Sequence, residues 1–221
     1  MLNRFQILQY LIAFLTSDVH ATKRFVKILK TESNQDRVIY LASKYLLLPA
    51  LYHQLLLKQT LGSFSLQKQL YLEHLVQINA NRNKVLLEDA KHIHKLLEKH
   101  KIPYVFLKGI ALLGWQPNGD KTQMFTRMVG DIDLLVPNAF AHKIYTLFIA
   151  KGFKSVSNNP LIKFQSHRHL PRLKHPNFLG AVEIHLNPFR IETSLPATQL
   201  LKKRILIPEM FWIPDPVHMH A

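Results

Sequence analysis

Two aspartates one residue apart carry the strongest chemical signal in the chain, in Gly130-Asp131-Ile132-Asp133. Side chains at i and i+2 of a strand share a face, so both carboxylates point the same way. Carboxylates that close repel unless a cation lies between them or one keeps its proton. Such a pair suits Mg²⁺, or Mn²⁺, with the phosphates of a nucleotide completing the shell. Lys108-Gly109 ends a short apolar run and opens a helix, where free N–H donors and a bare backbone admit a phosphate. Arg127, four residues before Asp131, adds a further cation. Glu183 sits among apolar neighbours in Val182-Glu183-Ile184-His185, as on a strand. An adjacent strand would bring it to the aspartates as the third carboxylate of a two-metal phosphoryl-transfer site. There it would hold one ion and accept the proton of an attacking hydroxyl. The expected catalytic and metal set is Asp131, Asp133 and Glu183. The expected nucleotide-binding set is Lys108, Gly109, Arg127, Gly130 and His185. The structural alternative is an exposed strand face of solvated charges.

The elements that must position these residues follow from punctuation and periodicity. Residues 1–102 contain one proline and one glycine, and the remainder holds eleven prolines and six glycines. The first part therefore reads as helical and the second as mixed with strands, an α+β chain whose small mixed sheet forms the core. Residues 36–57 carry a dense apolar pattern, with Pro49 marking a break between two helices. Residues 65–100 read as one long helix, since Leu75, Ile78, Leu86, Ala90, Ile93 and Leu97 recur at helical spacing. Tyr104 to Leu107 reads as a strand, 110–115 as a short helix and 116–126 as an exposed loop. Asp131 to Val136 is the clearest strand, with Ile132, Leu134 and Val136 facing the core. A helix should then run from 137 to 151, followed by strands at 170–174 and 180–186. The expected division is a helical region at 1–100, an α/β core at 101–207 and a C-terminal connector at 208–221, cut short.

Composition narrows the function classes. Hydrophobic residues make up 48% of the 221 and charged residues 19%, a globular balance. Cysteine is absent, which excludes disulfides, a thiol nucleophile and thiolate metal sites. A net charge of +15 favours a polyanionic partner: nucleic acid, nucleotide phosphates or an acidic membrane surface. No apolar run approaches the roughly 20 residues a membrane span requires. Ile7 to Leu15 has the length of a signal-peptide core, but Gln9 and Tyr10 interrupt it. Leu8, Leu11, Ile12 and Leu15 instead fall at helical spacing, so an ordinary amphipathic helix of a cytoplasmic protein is expected. Of the 13 histidines, none pairs as His-x3-His or His-Glu-x2-His on a helix face, so a dedicated zinc site is not expected. His167 and His169 read as surface residues or phosphate contacts, and Trp115 and Trp212 as packing residues.

Taken in order, Ile102-Pro103-x4-Lys108-Gly109, Arg127-x3-Asp131-x-Asp133-Leu134-Leu135-Val136 and Val182-Glu183-Ile184-His185 resemble the bacterial uncharacterised nucleotidyltransferase family. That family is a branch of the polymerase-beta-like nucleotidyltransferases. Val38 to Leu56, with Leu41-Ala42 and Leu51-Tyr52, and Asn81-Arg82-Asn83 resemble its N-terminal region, so the similarity covers roughly residues 35–187. Lys108-Gly109 departs from the Gly-Ser or Gly-Gly usual in the superfamily, and the interval to Asp131 is longer than usual. The resemblance implies catalytic metals on Asp131 and Asp133, Glu183 as third carboxylate, and Lys108-Gly109 lining a triphosphate pocket. It implies transfer of a nucleoside monophosphate from a nucleoside triphosphate, ATP among the candidates, to a hydroxyl of a small molecule, protein or RNA. Two rivals stand beside it. One is an inactive module of the same fold binding RNA or a protein partner, favoured by the basic charge. The other is a Mn²⁺-dependent glycosyltransferase, against which the missing βαβ series before the motif counts.

Overall fold

The computed structural model describes residues 2–16, 19–156, 169–188 and 196–218. In chain order the elements are helices α1 (Arg4–Leu15), α2 (Val19–Ile28), α3 (Glu32–Lys44), α4 (Leu48–Leu57) and α5 (Leu66–Lys99), then strand β1 (Val105–Phe106) and helices α6 (Lys108–Gly114) and α7 (Thr122–Thr126). There follow β2 (Asp131–Leu135), α8 (Ala141–Ala150), β3 (Lys154–Ser155), β4 (Leu173–Lys174), β5 (Ala181–His185), α9 (Ala197–Lys202), β6 (Arg204–Leu206) and β7 (Trp212–Pro214). The fold class is the expected one, helical first and α+β afterwards. The chain divides into two compact units, one of residues 1–81 with 121–128 and one of 82–120 with 129–221, so the division falls inside α5. No described helix is long and apolar enough to cross a membrane.

The first unit is a helical cluster. Helix α1 starts on a capping box, in which the Asn3 side chain accepts from the Gln6 backbone and the Gln6 side chain accepts in return. Its buried face is Ile7, Leu11 and Phe14 at i, i+4 and i+7, whereas Ile12 of the expected stripe is half exposed. Phe14 stacks on Phe25 of α2 with centroids 4.3 Å apart. Pro49 lies in the first turn of α4, where its missing N–H costs nothing, and the chain breaks just before it. The side chain of Gln35, buried on α3, donates to the Leu29 and Ser63 carbonyls and accepts from the Ser65 N–H, satisfying the start of α5.

In the second unit a five-stranded sheet runs in the order β1-β2-β5-β4-β3. Strands β2 and β5 are parallel and every other pair is antiparallel. Alternation along β2 and β5 buries Ile132, Leu134, Val182 and Ile184 completely. Leu86 of α5 packs there, close enough that a Cβ on Gly180 would lie 2.7 Å from its Cδ2 and 3.1 Å from Ile132 Cγ1. The expected loop at 116–126 contains α7, which belongs to the first unit and whose Met124 is buried. The expected connector contains β7, which pairs with β6 in a hairpin of register Ile205↔Ile213. Hydrophobic burial orders that stretch despite its prolines: Phe211 and Ile213 are fully buried. Trp212 packs as expected, its indole N–H donating to Glu98 at 3.0 Å and its ring lying 4.7 Å beneath Arg204.

Where α5 ends, the Tyr104 hydroxyl and His94 Nδ1 are 2.5 Å apart. Burial pushes the Tyr104 pKa up, so its hydroxyl keeps the proton and donates it to a neutral imidazole. Burial also holds the His94 pKa below its ordinary value. Below about pH 6.5 the unfolded chain thus takes up a proton that the folded chain resists, and stability falls as pH drops. The melting temperature of the wild type should decline between pH 7.5 and 5.5, and that slope should flatten in His94→Gln. Equal slopes in the two proteins would place the titrating group elsewhere.

Candidate active site

The carboxylates are positioned by one register. Asp133, at the centre of β2, pairs with Glu183 on the parallel strand β5. His185 lies two residues beyond Glu183, on the same face. Ligand atoms of Asp133, Glu183 and His185 all fall within 4.8 Å of one another. His185 Nε2 is 2.8 Å from Asp133 Oδ1 and 3.7 Å from Glu183 Oε2. The same Asp133 oxygen accepts from Lys108 Nζ at 2.5 Å. Asp133 is 7% exposed. Burial raises its pKa, but the hydrogen bonds from His185 and Lys108, with their charge, outweigh it and hold the carboxyl below its ordinary value.

Lys108 begins α6 with φ +51°, a left-handed conformation that costs a residue bearing Cβ about 1–2 kcal/mol. Glycine would relieve that strain and remove the ammonium that holds Asp133. The neighbouring Gly109 has a packing cause. A Cβ there would lie 2.7 Å from Val129 Cγ1, so the close approach is to a valine side chain. Gly130 is exposed with open space at its Cα, and its carbonyl accepts from Arg82 at 3.2 Å. That bond ties Arg82 to the backbone directly before Asp131. Arg127 belongs to the first unit, where its Nε donates to Gln123 at 3.3 Å.

Asp131 shares the face of Asp133 but lies outside the three-residue cluster. Its carboxylate is paired with Arg172, whose Nε also lies 3.8 Å from Glu183 Oε1. Sequence reasoning missed Arg172; His185, expected in the nucleotide-binding set, lies beside the carboxylates of Asp133 and Glu183. Only the charge of Arg172, within an otherwise strand-like stretch, hinted at it. His169 bridges to His185 backbone to backbone, their rings 5.8 Å apart. His167 lies outside the described residues.

A divalent ion bonds oxygen or nitrogen at roughly 2.0–2.6 Å, so donors up to twice that distance apart can share one ion. The cluster meets this limit with two carboxylates and an imidazole, and fits a divalent metal site. His185 is 1% exposed; its Nε2 meets the carboxylates, and its Nδ1 has no hydrogen-bond partner among the described residues. A family described as "Uncharacterised nucleotidyltransferase" matches residues 31–218, which takes in every residue of the site. No curated protein matches the chain.

Proposed function

This chain belongs to the uncharacterised nucleotidyltransferase family, and on that footing we propose that it moves a nucleoside monophosphate from a nucleoside triphosphate to a hydroxyl acceptor. The observation that carries the reading is the direct pairing of Asp133 with Glu183 across two parallel strands, with His185 and Lys108 converging on the same carboxylate. In this reading Asp133, Glu183 and His185 hold a divalent ion, Mg²⁺ or Mn²⁺, and Asp131 is a further ligand from the same face. When bound, such an ion supplies positive charge at the phosphate oxygens. Lys108, half exposed at the mouth of the site, offers its ammonium to the triphosphate. Gly130, with open space at its Cα, leaves backbone for a phosphate contact, and Gly109 contributes only as the residue after Lys108 at the start of α6. Glu183 takes the proton of the attacking hydroxyl as that oxygen bonds to the α-phosphorus. The bond from the α-phosphorus to the bridging oxygen breaks, and pyrophosphate leaves with the electron pair.

A second reading has its own support. Lys108 and Arg172 already neutralise Asp133 and Asp131, and the chain carries +15, as a non-catalytic module binding RNA or a protein would. Incubation with each α-labelled nucleoside triphosphate and cell extract separates the two. The enzyme should label an acceptor and release pyrophosphate in step, and chelation should abolish both. No label and no pyrophosphate with any of the triphosphates would leave the binding module.

A further inference from the structure

Arg172 stands immediately before β4, and its carbonyl accepts from the Val156 N–H at 2.9 Å, which pins its backbone. From there the side chain passes over β5 to β2. Its Nη2 is paired with Asp131 Oδ1 while Nε sits 3.8 Å from Glu183 Oε1. One guanidinium thus lies between the two carboxylates that an ion would have to join if Asp131 is to share a metal with Glu183. Asp131, Asp133 and Glu183 carry three negative charges, against which Lys108 and Arg172 set two positive ones. A divalent ion arriving there is repelled by the guanidinium and competes with it for the same oxygens. The side chain of Arg172 is 42% exposed, so it leaves these oxygens without disturbing the core. Its planar fork then matches the paired oxygens of a phosphate better than a point charge does.

We infer that Arg172 couples two ligands: it competes with the divalent ion for Asp131 and Glu183, and once displaced it grips the phosphates of the triphosphate. The inference rests on the nucleotidyl-transfer reading above. Its signature is two opposite changes from one substitution. Arg172→Gln should bind Mn²⁺ alone several-fold more tightly, because the competitor is gone. It should bind inorganic tripolyphosphate in the presence of Mn²⁺ about tenfold more weakly, the scale of one lost hydrogen bond to a charged group. Arg172→Lys, which keeps the charge without the fork, should bind Mn²⁺ nearly as wild type does and recover part of the tripolyphosphate affinity. Tripolyphosphate is the probe because it presents phosphate chemistry without a base.

Mn²⁺ binding followed by electron paramagnetic resonance, and tripolyphosphate binding by calorimetry, read both quantities without turnover. Unchanged or weaker Mn²⁺ binding in Arg172→Gln overturns the inference, as does a loss of both affinities together, which a merely structural role would give. Asp133→Asn serves as the reference. If it abolishes Mn²⁺ binding while Arg172→Gln changes nothing, the coupling fails and the metal site stands. If Asp133→Asn binds Mn²⁺ as the wild type does, the site and the inference fall together.

Discussion

Asp133→Asn is expected to lower nucleotide transfer by on the order of a thousandfold or more, the scale of removing an essential group of a catalytic unit. The fold should survive, because fold and chemistry ask different things of this position. The fold needs an acceptor of this size where Lys108 Nζ and the His185 ring meet, 2.5 Å and 2.8 Å from Oδ1. Asparagine supplies that acceptor in the same volume. The chemistry needs the negative charge that these donors keep ionised, and asparagine lacks it. The stability change should stay below about 2 kcal/mol, since the ammonium of Lys108 is half exposed and returns to water. Asp133→Leu, by contrast, leaves the imidazole of a residue only 1% exposed without its partner, and should cost about 3–5 kcal/mol. Pyrophosphate release and thermal unfolding of both variants decide the matter. An Asp133→Asn protein that turns over like the wild type would remove the carboxylate from the mechanism.

The same residues show what a sequence can and cannot deliver. Period-two alternation from Asp131 to Val136 locates a strand and says which side chains share its face, because the pleat alone dictates that. Thirty-four residues of helical spacing make α5 legible to within one residue at either end. Alternation is silent about which strands become neighbours. That Glu183 stands opposite Asp133, rather than elsewhere in the sheet, depends on a chain path through α8, β3 and β4 that no local pattern encodes. Arg172 is hidden for the same reason, since its partner Asp131 is 41 residues away. His185 was visible as a neighbour of Glu183, but its side chain turns to the carboxylates only once β2 lies alongside. Gly109 suggested a phosphate contact, whereas its smallness first serves Val129, a long-range contact again.

Phe211→Ala should destabilise the protein by about 3–5 kcal/mol. Proline at 208, 214 and 216 made this stretch read as a connector, and the strands of its hairpin are only three residues each. Such a hairpin cannot hold by its own ladder and must borrow stability from packing. Phe211 provides that packing. It is fully buried and meets Phe106 edge to face at 4.7 Å. It also fills the space that Gly114 leaves, where a Cβ would lie 2.9 Å from its ring. Phe106 in turn pairs with Leu134 of β2, and the Leu107 N–H donates to the Asp133 carbonyl at 2.9 Å. The ring therefore supports the strand that carries Asp131 and Asp133, from the side opposite β5. For a chain of this length the expected loss corresponds to a fall in melting temperature of about 10 °C. Phe211→Leu, which keeps most of the apolar volume, should cost less than about 1.5 kcal/mol. Chemical denaturation of the two variants measures both values. A cost below about 1 kcal/mol for Phe211→Ala would mean that the hairpin adds nothing to the core, and that β1 and β2 hold the Asp133 backbone without it.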